Sequence, residues 1–304
     1  MIVKKLKTKT VYFSGLIARR ATAPQLLLLC FLALSQPAQA QTLDKSDTID
    51  TNRPSFMSSP LVVPKASVQI ENGSTYQWNR QNQWQFDLPE SQLRVGVAKN
   101  LEFQMFLPNY KLARSNILSS SQQPRVNTLS NEPAESTSSF VTNLSEVGAK
   151  YQFGQFLDKK SLPVILRGSQ AALIMGITVP TGSPVAARTG TQGSIRLPWS
   201  RPLPKGWRIA GMESVLYIND GTAVQWQPDV LVGKSFGQKA DCFLEYGGFF
   251  TSGNLPIQFM HTGAVYRPSK RHQVDAHFGV GLSKSSPIGF VGIGYSYRFD
   301  RLSW

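Results

Sequence analysis

The stretch that decides the fold is RHQVDAHFGVGLSKSSPIGFVGIGYSYRF, residues 271–299. Apolar and polar residues alternate through both of its halves. The apolar positions are Val274, Ala276, Phe278, Val280 and Leu282, and then Val291, Ile293, Tyr295, Tyr297 and Phe299. Because side chains along a strand point to opposite faces at period two, the stretch predicts two strands, each with one apolar and one polar face. A soluble sandwich would give this pattern, and so would a barrel whose apolar face meets lipid.

The N-terminus indicates export. Basic residues without any acidic partner fill residues 1–25, an apolar run LLLLCFLAL follows at 26–34, and PAQA stands at 37–40. This order is that of a secretory signal peptide, which we predict to span residues 1–40 with cleavage after Ala40. The apolar run is about half the length that a membrane-spanning helix needs, so a retained anchor is not expected.

Removal of the signal peptide changes the composition of the chain. Its six basic residues lower the formal net charge from +14 to +8, so we expect no nucleic-acid partner. Cys242 remains as the single cysteine of the mature chain, which excludes an internal disulfide and a cysteine-based metal site. The mature chain must therefore be held together by a large core or by a bilayer.

Runs of alternating polarity, bounded by Gly, Pro, Asn, Asp or Ser, recur along the mature chain. They predict strands at 66–78, 91–98, 100–108, 144–154, 163–179, 207–218, 222–235, 241–251, 258–267, 271–282 and 288–299, with a twelfth around 82–88. Two connections are expected to be long, at 111–143 and 180–206. Because bacterial membrane barrels have an even number of strands, the sequence favours twelve.

Strand length favours the membrane barrel over the soluble sandwich. Strands of about 10 to 13 residues suit a tilted membrane strand, whereas about five or six residues are usual in soluble proteins. Aromatic residues near strand ends also fit interfacial belts: Tyr76, Trp78, Trp207, Tyr217, Trp226, Phe250, Tyr266 and Phe299. We predict an all-β fold, a transmembrane antiparallel β-barrel of 10–12 and most simply 12 strands over residues 66–304.

Several segments carry a family resemblance. They are DTIDTNRPSFMSSPLVVPKASVQIENG (47–73), LPESQLRVGVAKNLEFQMF (88–106), SEVGAKYQF (145–153), LIMGITVPTGS (173–183) and the two closing strands. Their succession resembles the outer-membrane "transporter" family labelled as a MetA pathway of phenol degradation. The resemblance implies an outer-membrane β-barrel that passes small, often aromatic or hydrophobic compounds, and it brings no catalytic residues.

Two features depart from the family pattern. The first strand begins at Lys65-Ala66, where a glycine is expected, and the chain runs five residues beyond Phe299. A terminal aromatic residue commonly serves as the recognition signal for the barrel-assembly machinery, an expected partner. An odd step of five places Trp304 on the opposite face from Phe299 if the strand continues. We therefore assign Phe299 to the apolar stripe and Trp304 to an interfacial anchor.

Residues 41–65 form a predicted periplasmic N-terminal segment with two interpretations. It could fold into the barrel mouth as a plug, with Arg53 pairing with a carboxylate of the lumen. Alternatively it could be a flexible lead-in whose prolines prevent premature strand pairing. The composition favours the lead-in.

Charged residues on the polar faces are the candidate lumen lining: Glu71, Arg94, Glu102, Asp229, Glu245, Asp275, His277 and Arg298. Charges of both signs along a pore create a selectivity zone for polar solutes. The same residues could instead form cross-strand ion pairs that stiffen the inner wall. Both roles are compatible.

Catalysis is not expected. The three histidines, His261, His272 and His277, are too few and badly spaced for a zinc site, and no G-x-S-x-G or H-E-x-x-H pattern occurs. A triad built from His261 and a serine or threonine of a neighbouring strand is the remaining enzymatic alternative, as in barrel lipases or acyltransferases. No cofactor and no metal are implied.

The sequence thus predicts an outer-membrane barrel for passive passage or uptake of small solutes, with outer-membrane lipid and a small-molecule solute as further partners. A barrel of this size has little free interior, which disfavours a wide general pore. A structural or surface-interaction envelope barrel without transport is the alternative from another class.

Overall fold

The computed structural model describes residues 48–80, 83–114, 122–123, 126–127, 139–142, 145–153, 168–179, 181, 190–218, 221–300 and 302. The predicted signal peptide, Trp304 and most of the predicted 111–143 connection lie outside these residues. In the described part of the chain, no helix is long and apolar enough to cross a membrane.

The described residues form seventeen strand segments. The first nine are β1 (Val68–Trp78), β2 (Trp84–Leu88), β3 (Gln92–Ala98), β4 (Leu101–Phe106), β5 (Tyr110–Arg114), β6 (Gln122–Gln123), β7 (Val126–Asn127), β8 (Ser139–Thr142) and β9 (Ser145–Gln152). The others are β10 (Gln170–Val179), β11 (Gln192–Pro202), β12 (Trp207–Ile218), β13 (Ala223–Phe236), β14 (Ala240–Thr251), β15 (Ile257–Ser269), β16 (His272–Gly281) and β17 (Gly289–Phe299). A 3-10 turn, Pro204–Gly206, joins β11 to β12.

These segments build a closed antiparallel barrel of twelve strands, as predicted. Strand β17 pairs with β1 over the whole length of both, which closes the sheet. Three of the twelve strands are broken in two. Strand β1 pairs with β3 through Val68–Glu71 and with β2 through Thr75–Trp78, so β2 and β3 are halves of one barrel strand. In the same way, β4 and β5 pair with β9 and β8 respectively.

The prediction of a long connection at 180–206 is wrong, because β11 lies within it. Strand β11 pairs with β10 on one side and β12 on the other. Prolines 198 and 202 disguised it in the sequence, since proline is depleted from strands. The alternation is nevertheless present, because the exposed Ile195 and Leu197 alternate with the buried Ser194 and Arg196.

The predicted 111–143 connection is also shortened at both ends. Strands β5 and β8 continue the barrel wall into it and pair with each other from Tyr110–Thr142 to Ala113–Ser139. The predicted strand at 82–88 corresponds to β2. It is one half of a barrel strand whose other half is β3. The twelve strands therefore agree in number with the prediction, although β11 replaces β2 as a separate strand.

The two faces of the wall differ as the alternation predicts. On the outside, Ile293 is 64% exposed and Met175 is 57% exposed. On the inside, Gln273, Glu71 and Arg94 are fully buried. An apolar outer wall around a polar interior is the arrangement of membrane barrels, and it is the reverse of a soluble protein.

Ala66, at the start of the wall, has a left-handed backbone. Its φ angle is 57°, a region that residues with a Cβ avoid, and the residue lies where the family pattern led us to expect glycine. We predict that Ala66→Gly stabilises the protein by about 0.5–1 kcal/mol, because the folded-state strain exceeds the added entropy of the unfolded chain. Urea unfolding in detergent, followed by tryptophan fluorescence, would measure this; a lower midpoint would contradict it.

Candidate functional site: the barrel interior

The interior of the barrel holds a piece of the chain itself, residues 48–65, which we call the plug segment. Ile49, Asn52, Met57 and Val63 of this segment are buried. The lead-in interpretation, which the composition favoured, therefore does not describe these residues. Composition misled because the barrel wall, rather than a conventional apolar core, supplies the partners of this polar and proline-rich segment.

Wall carboxylates bind the plug segment through its backbone. Glu71 accepts hydrogen bonds from the amides of Asn52 and Arg53, at 3.0 and 3.1 Å to Oε2. Glu245 accepts from the amides of Phe56 and Met57, at 3.0 and 3.1 Å.

A third carboxylate, Glu102, accepts from the amide of Val63 at 2.7 Å. Hydrogen bonds to an ionised acceptor are stronger than neutral ones, so the three glutamates fasten the segment at three points. The three glutamates accept from backbone amides, so the binding of the plug segment to the wall depends little on the side chains of the segment.

Arg94 joins the wall to the plug segment. Its guanidinium donates to Glu102 at 2.7 and 2.9 Å and to Glu71 at 2.9 Å. It also donates to the carbonyl oxygens of Asp50 at 2.9 Å and Leu61 at 3.0 Å. All five N–H donors of the side chain are thus used. Lys150 adds a bond to the Leu61 carbonyl at 3.1 Å.

The Arg53 side chain packs against the barrel wall at two glycines, which leave room for its guanidinium. Gly73 and Gly294 are directly opposite in the β1–β17 ladder, and a Cβ at either would come within 2.4 Å of the Arg53 guanidinium. Its Nη1 lies 2.7 Å from Glu90 and its Nη2 lies 3.6 Å from Asp275. Burial opposes the charge, but these carboxylates outweigh it and hold the pKa of Arg53 above its ordinary value.

Two histidines extend the contact with Glu245. Nδ1 of His261 lies 2.8 Å from the Glu245 carboxylate, and Nε2 of His261 lies 3.0 Å from Nδ1 of His277. The Phe56 ring packs on His261 with 4.6 Å between ring centroids. The chain Glu245–His261–His277 therefore connects an amide-binding carboxylate to the space beside the plug segment.

Within the described part of the chain, two cavities inside the barrel are both lined by Arg53, Pro54 and Ser55. The larger cavity, about 120 Å³, extends to the barrel end at which β1 finishes, where Gln77, Asn79 and Pro287 line it. The smaller one, about 100 Å³, is lined at the opposite end by residues such as Arg208 and Arg267. The plug segment is thus the partition between them.

The larger cavity has one aromatic and one polar side. Its aromatic side is a cluster in which Phe56 packs on Phe259 and Phe290 at centroid distances of 4.3 and 5.4 Å, with Phe249 beside Phe259. Its polar side consists of Arg53, Asp87, Glu90, Gln92, Asn109 and His277. This space fits a small molecule that carries both an apolar ring and hydrogen-bonding groups.

The family model "Putative MetA-pathway of phenol degradation" matches residues 51–299 of this chain. The chain belongs to this family. The resemblance that the motifs indicated is therefore confirmed, and the match includes most of the plug segment as well as all twelve barrel strands.

Among solved structures, this member of the phenol-degradation family is similar to an outer membrane channel from Pseudomonas putida F1. The two share 11% identity at a TM-score of 0.52, over 78% of this chain and 97% of the channel. The KdgM porin has 10% identity, a TM-score of 0.47 and coverage of 76% and 99%. The NanC porin has 8% identity, a TM-score of 0.47 and coverage of 76% and 98%. No curated protein matches the chain.

The eight candidate lining residues of this family member are all buried on the inner face. They are Glu71, Arg94, Glu102, Asp229, Glu245, Asp275, His277 and Arg298. Glu71, Arg94 and Glu102 come together in one network around the plug segment. Arg298 lies apart from it and pairs with Asp300 at 2.6 Å. Their contact with a passing solute stays a prediction.

Some interior residues of this family member were missed in the sequence. Lys150 and Glu146 lie in the predicted strand at 144–154. They are an even number of residues apart and therefore share one face of it, so the alternation could have identified both as interior residues. Arg196, which binds Glu146 at 2.7 Å, lies in the strand that prolines disguised. Phe56 gave no signal, because nothing local to residues 41–65 indicates which surface would receive it.

Proposed function

We propose that the protein is an outer-membrane channel for passive passage or uptake of small solutes, aromatic or hydrophobic compounds among them. One observation carries the proposal: in the polar interior of a closed barrel, the plug segment lies between two cavities that are lined by residues toward opposite barrel ends. A purely structural barrel has no need for such an interior, whereas a channel needs a path with a narrow point.

The location in the outer membrane belongs to the proposal. The apolar outer wall supports contact with outer-membrane lipid, and the predicted signal peptide at 1–40 supports export. Phe299 ends the last strand as an exposed aromatic residue, which fits recognition by the barrel-assembly machinery.

The plug segment acts in this proposal as a movable constriction. Because wall glutamates hold it by hydrogen bonds rather than by a continuous sheet, it can shift without opening the barrel wall. Each hydrogen bond is worth about 1.5–3 kcal/mol when one partner is charged, so release of one contact at a time is thermally accessible. Small solutes would pass between the two cavities when Arg53–Ser55 moves aside.

We also propose that the channel has no enzymatic activity. Support comes from the most deeply buried of the three histidines, His261, whose two ring nitrogens face Glu245 and His277. A triad with His261, the enzymatic alternative, would need one of these nitrogens to face a serine or threonine hydroxyl.

Planar-bilayer recording of the purified, heat-modifiable protein tests the proposal. We expect small and brief openings, with ionic current reduced by 4-nitrophenol added on one side and unaffected by glucose at the same concentration. A correctly folded barrel that gives no openings in either the presence or the absence of solutes would contradict the channel function.

A further inference from the structure

Two arginines approach one carboxylate in the smaller cavity. Arg267, on β15, is paired with Asp241 of the neighbouring strand β14, at 2.6 Å from Nη1 to Oδ2. Arg208, on β12, attracts the same carboxylate electrostatically from the other side of β13. Gly233 of β13 lies directly opposite Arg208, and a Cβ there would lie 2.5 Å from the Arg208 Nε. The glycine therefore leaves room for Arg208 to lie across β13.

Both arginines have N–H groups that no described residue accepts. The Nε of Arg267 is buried and has no hydrogen-bond partner in the described part of the chain. Arg208 lines the cavity, and its guanidinium makes no hydrogen bond to any described residue. A buried donor without an acceptor is unfavourable, so an acceptor that enters the cavity is stabilised.

The two carboxylates of the cavity already have partners. Arg267 binds Asp241, and the Ser59 hydroxyl donates to Asp50. Among the described residues, Arg208 is therefore left without a carboxylate of its own. A charge that is partly removed from water is stabilised by a partner of opposite sign, so this surplus favours an anion.

The rim of the barrel beside this cavity is basic. The nearest turns join β11 to β12, β13 to β14 and β15 to β16. They contain four exposed basic residues and no acidic residue: Lys205, Lys239, Lys270 and Arg271. At the other end, the connections from β12 to β13, β14 to β15 and β16 to β17 contain one lysine and one aspartate. The positive potential of the rim raises the local concentration of anions on this side of the barrel.

Much of the remaining lining of the cavity is apolar. Leu231, Phe243 and Val265 of the wall line it, together with Met57 and Leu61 of the plug segment. Its volume of about 100 Å³ suits a small, compact molecule. An inorganic anion would leave this apolar surface in contact with water, so the ligand that fits has one anionic group and an apolar body.

We propose that the smaller cavity is a binding site for small organic acids. Arg208 and Arg267 bind the carboxylate of the acid, and the apolar lining receives its body. The proposal rests on the proposed channel function and names a solute class for it. Because membrane barrels have their short turns on the periplasmic side, the site lies on that side of the plug segment.

Calorimetric titration of the purified barrel in detergent tests the site without requiring conduction. The probes are benzoate and benzamide, which share a ring and differ in charge. We expect benzoate to bind at least tenfold more tightly than benzamide, the effect of one hydrogen bond to a charged group.

Three variants assign the binding to this cavity. Arg208→Gln should weaken benzoate binding about tenfold and leave benzamide binding unchanged. Gly233→Ala keeps every charge but places a methyl group against the Arg208 Nε, so it should weaken benzoate binding about threefold. Arg271→Gln is the matched control, because it removes one positive charge from a side chain that is 53% exposed on the same rim. Solvent screens that charge, so benzoate binding should change less than twofold.

The outcomes separate the two proposals. Heat modifiability establishes that each variant forms a barrel. Absence of benzoate binding, equal binding of benzoate and benzamide, or equal losses for Arg208→Gln and Arg271→Gln would overturn the site and leave the channel function standing. A folded barrel that binds benzoate but gives no current in planar bilayers would contradict the channel function and keep the site.

Discussion

Removal of residues 48–65 should raise the single-channel conductance of the protein by roughly tenfold, because these residues occupy the middle of an interior that is wider in a twelve-strand barrel than in an eight-strand one. The plug segment separates the two cavities, so its removal joins them into one axial path. Planar-bilayer recording of the shortened and the full chain, at equal salt and voltage, measures the difference. The shortened channel should also stay open for longer, in contrast to the brief openings expected of the full chain.

Leu255→Ala is the control for the deletion, since this residue is 74% exposed in the connection between β14 and β15. Its conductance should equal that of the unaltered protein. A deletion variant that is heat-modifiable but has the conductance of the full chain would show that the segment does not limit the path.

Arg94→Met should destabilise the barrel by about 3–5 kcal/mol, since it leaves two buried carboxylates without their main partner. Arg94, Glu71 and Glu102 have no exposed side-chain surface, and Arg94 also binds two carbonyl oxygens of the plug segment. Urea unfolding in detergent, followed by tryptophan fluorescence, gives the free energy of unfolding. Adding Glu102→Gln to Arg94→Met should recover part of the loss because it removes one unpaired charge.

Arg271→Met is the control for the charge change. Arg271 pairs with Asp300 at 2.9 Å, but its side chain is 53% exposed, so the pair is expected to contribute less than about 1 kcal/mol. Similar losses for Arg94→Met and Arg271→Met would contradict the assignment of Arg94 as the centre of the interior network.

Much of the wall was predictable from the sequence, because the alternation of apolar and polar residues along a strand does not depend on which side chains pack together. Alternation in β16 and β17 identified both faces, and Val291, Ile293 and Phe299 are exposed while Ser296 and Arg298 are buried. The pattern failed where proline interrupted it. Pro198 concealed β11, and Pro89 made one broken strand look like two.

The interior was less predictable, because its contacts join residues far apart in the chain. The bond from the Met57 amide to Glu245 spans 188 residues, and neither residue type indicates the other. Arg53 could be proposed as a plug contact from its charge alone. The packing of Arg53 against the paired glycines Gly73 and Gly294 depends on the register between β1 and β17, and this register is defined only when the barrel closes.

The central claim is that the plug segment limits the axial path, and a reversible tether tests it most directly. The amide of Ser58 lies 3.3 Å from the sulfur of Met212 on the wall. Cysteines at these two positions, with Cys242→Ser, are therefore close enough for a short bis-methanethiosulfonate cross-linker, whose disulfides a reductant cleaves, to tether the segment to β12. The measurement is the current through one channel before and after a reductant is added. We predict a nearly silent channel that gains openings on reduction; the same current before and after reduction of a proven tether would contradict the claim.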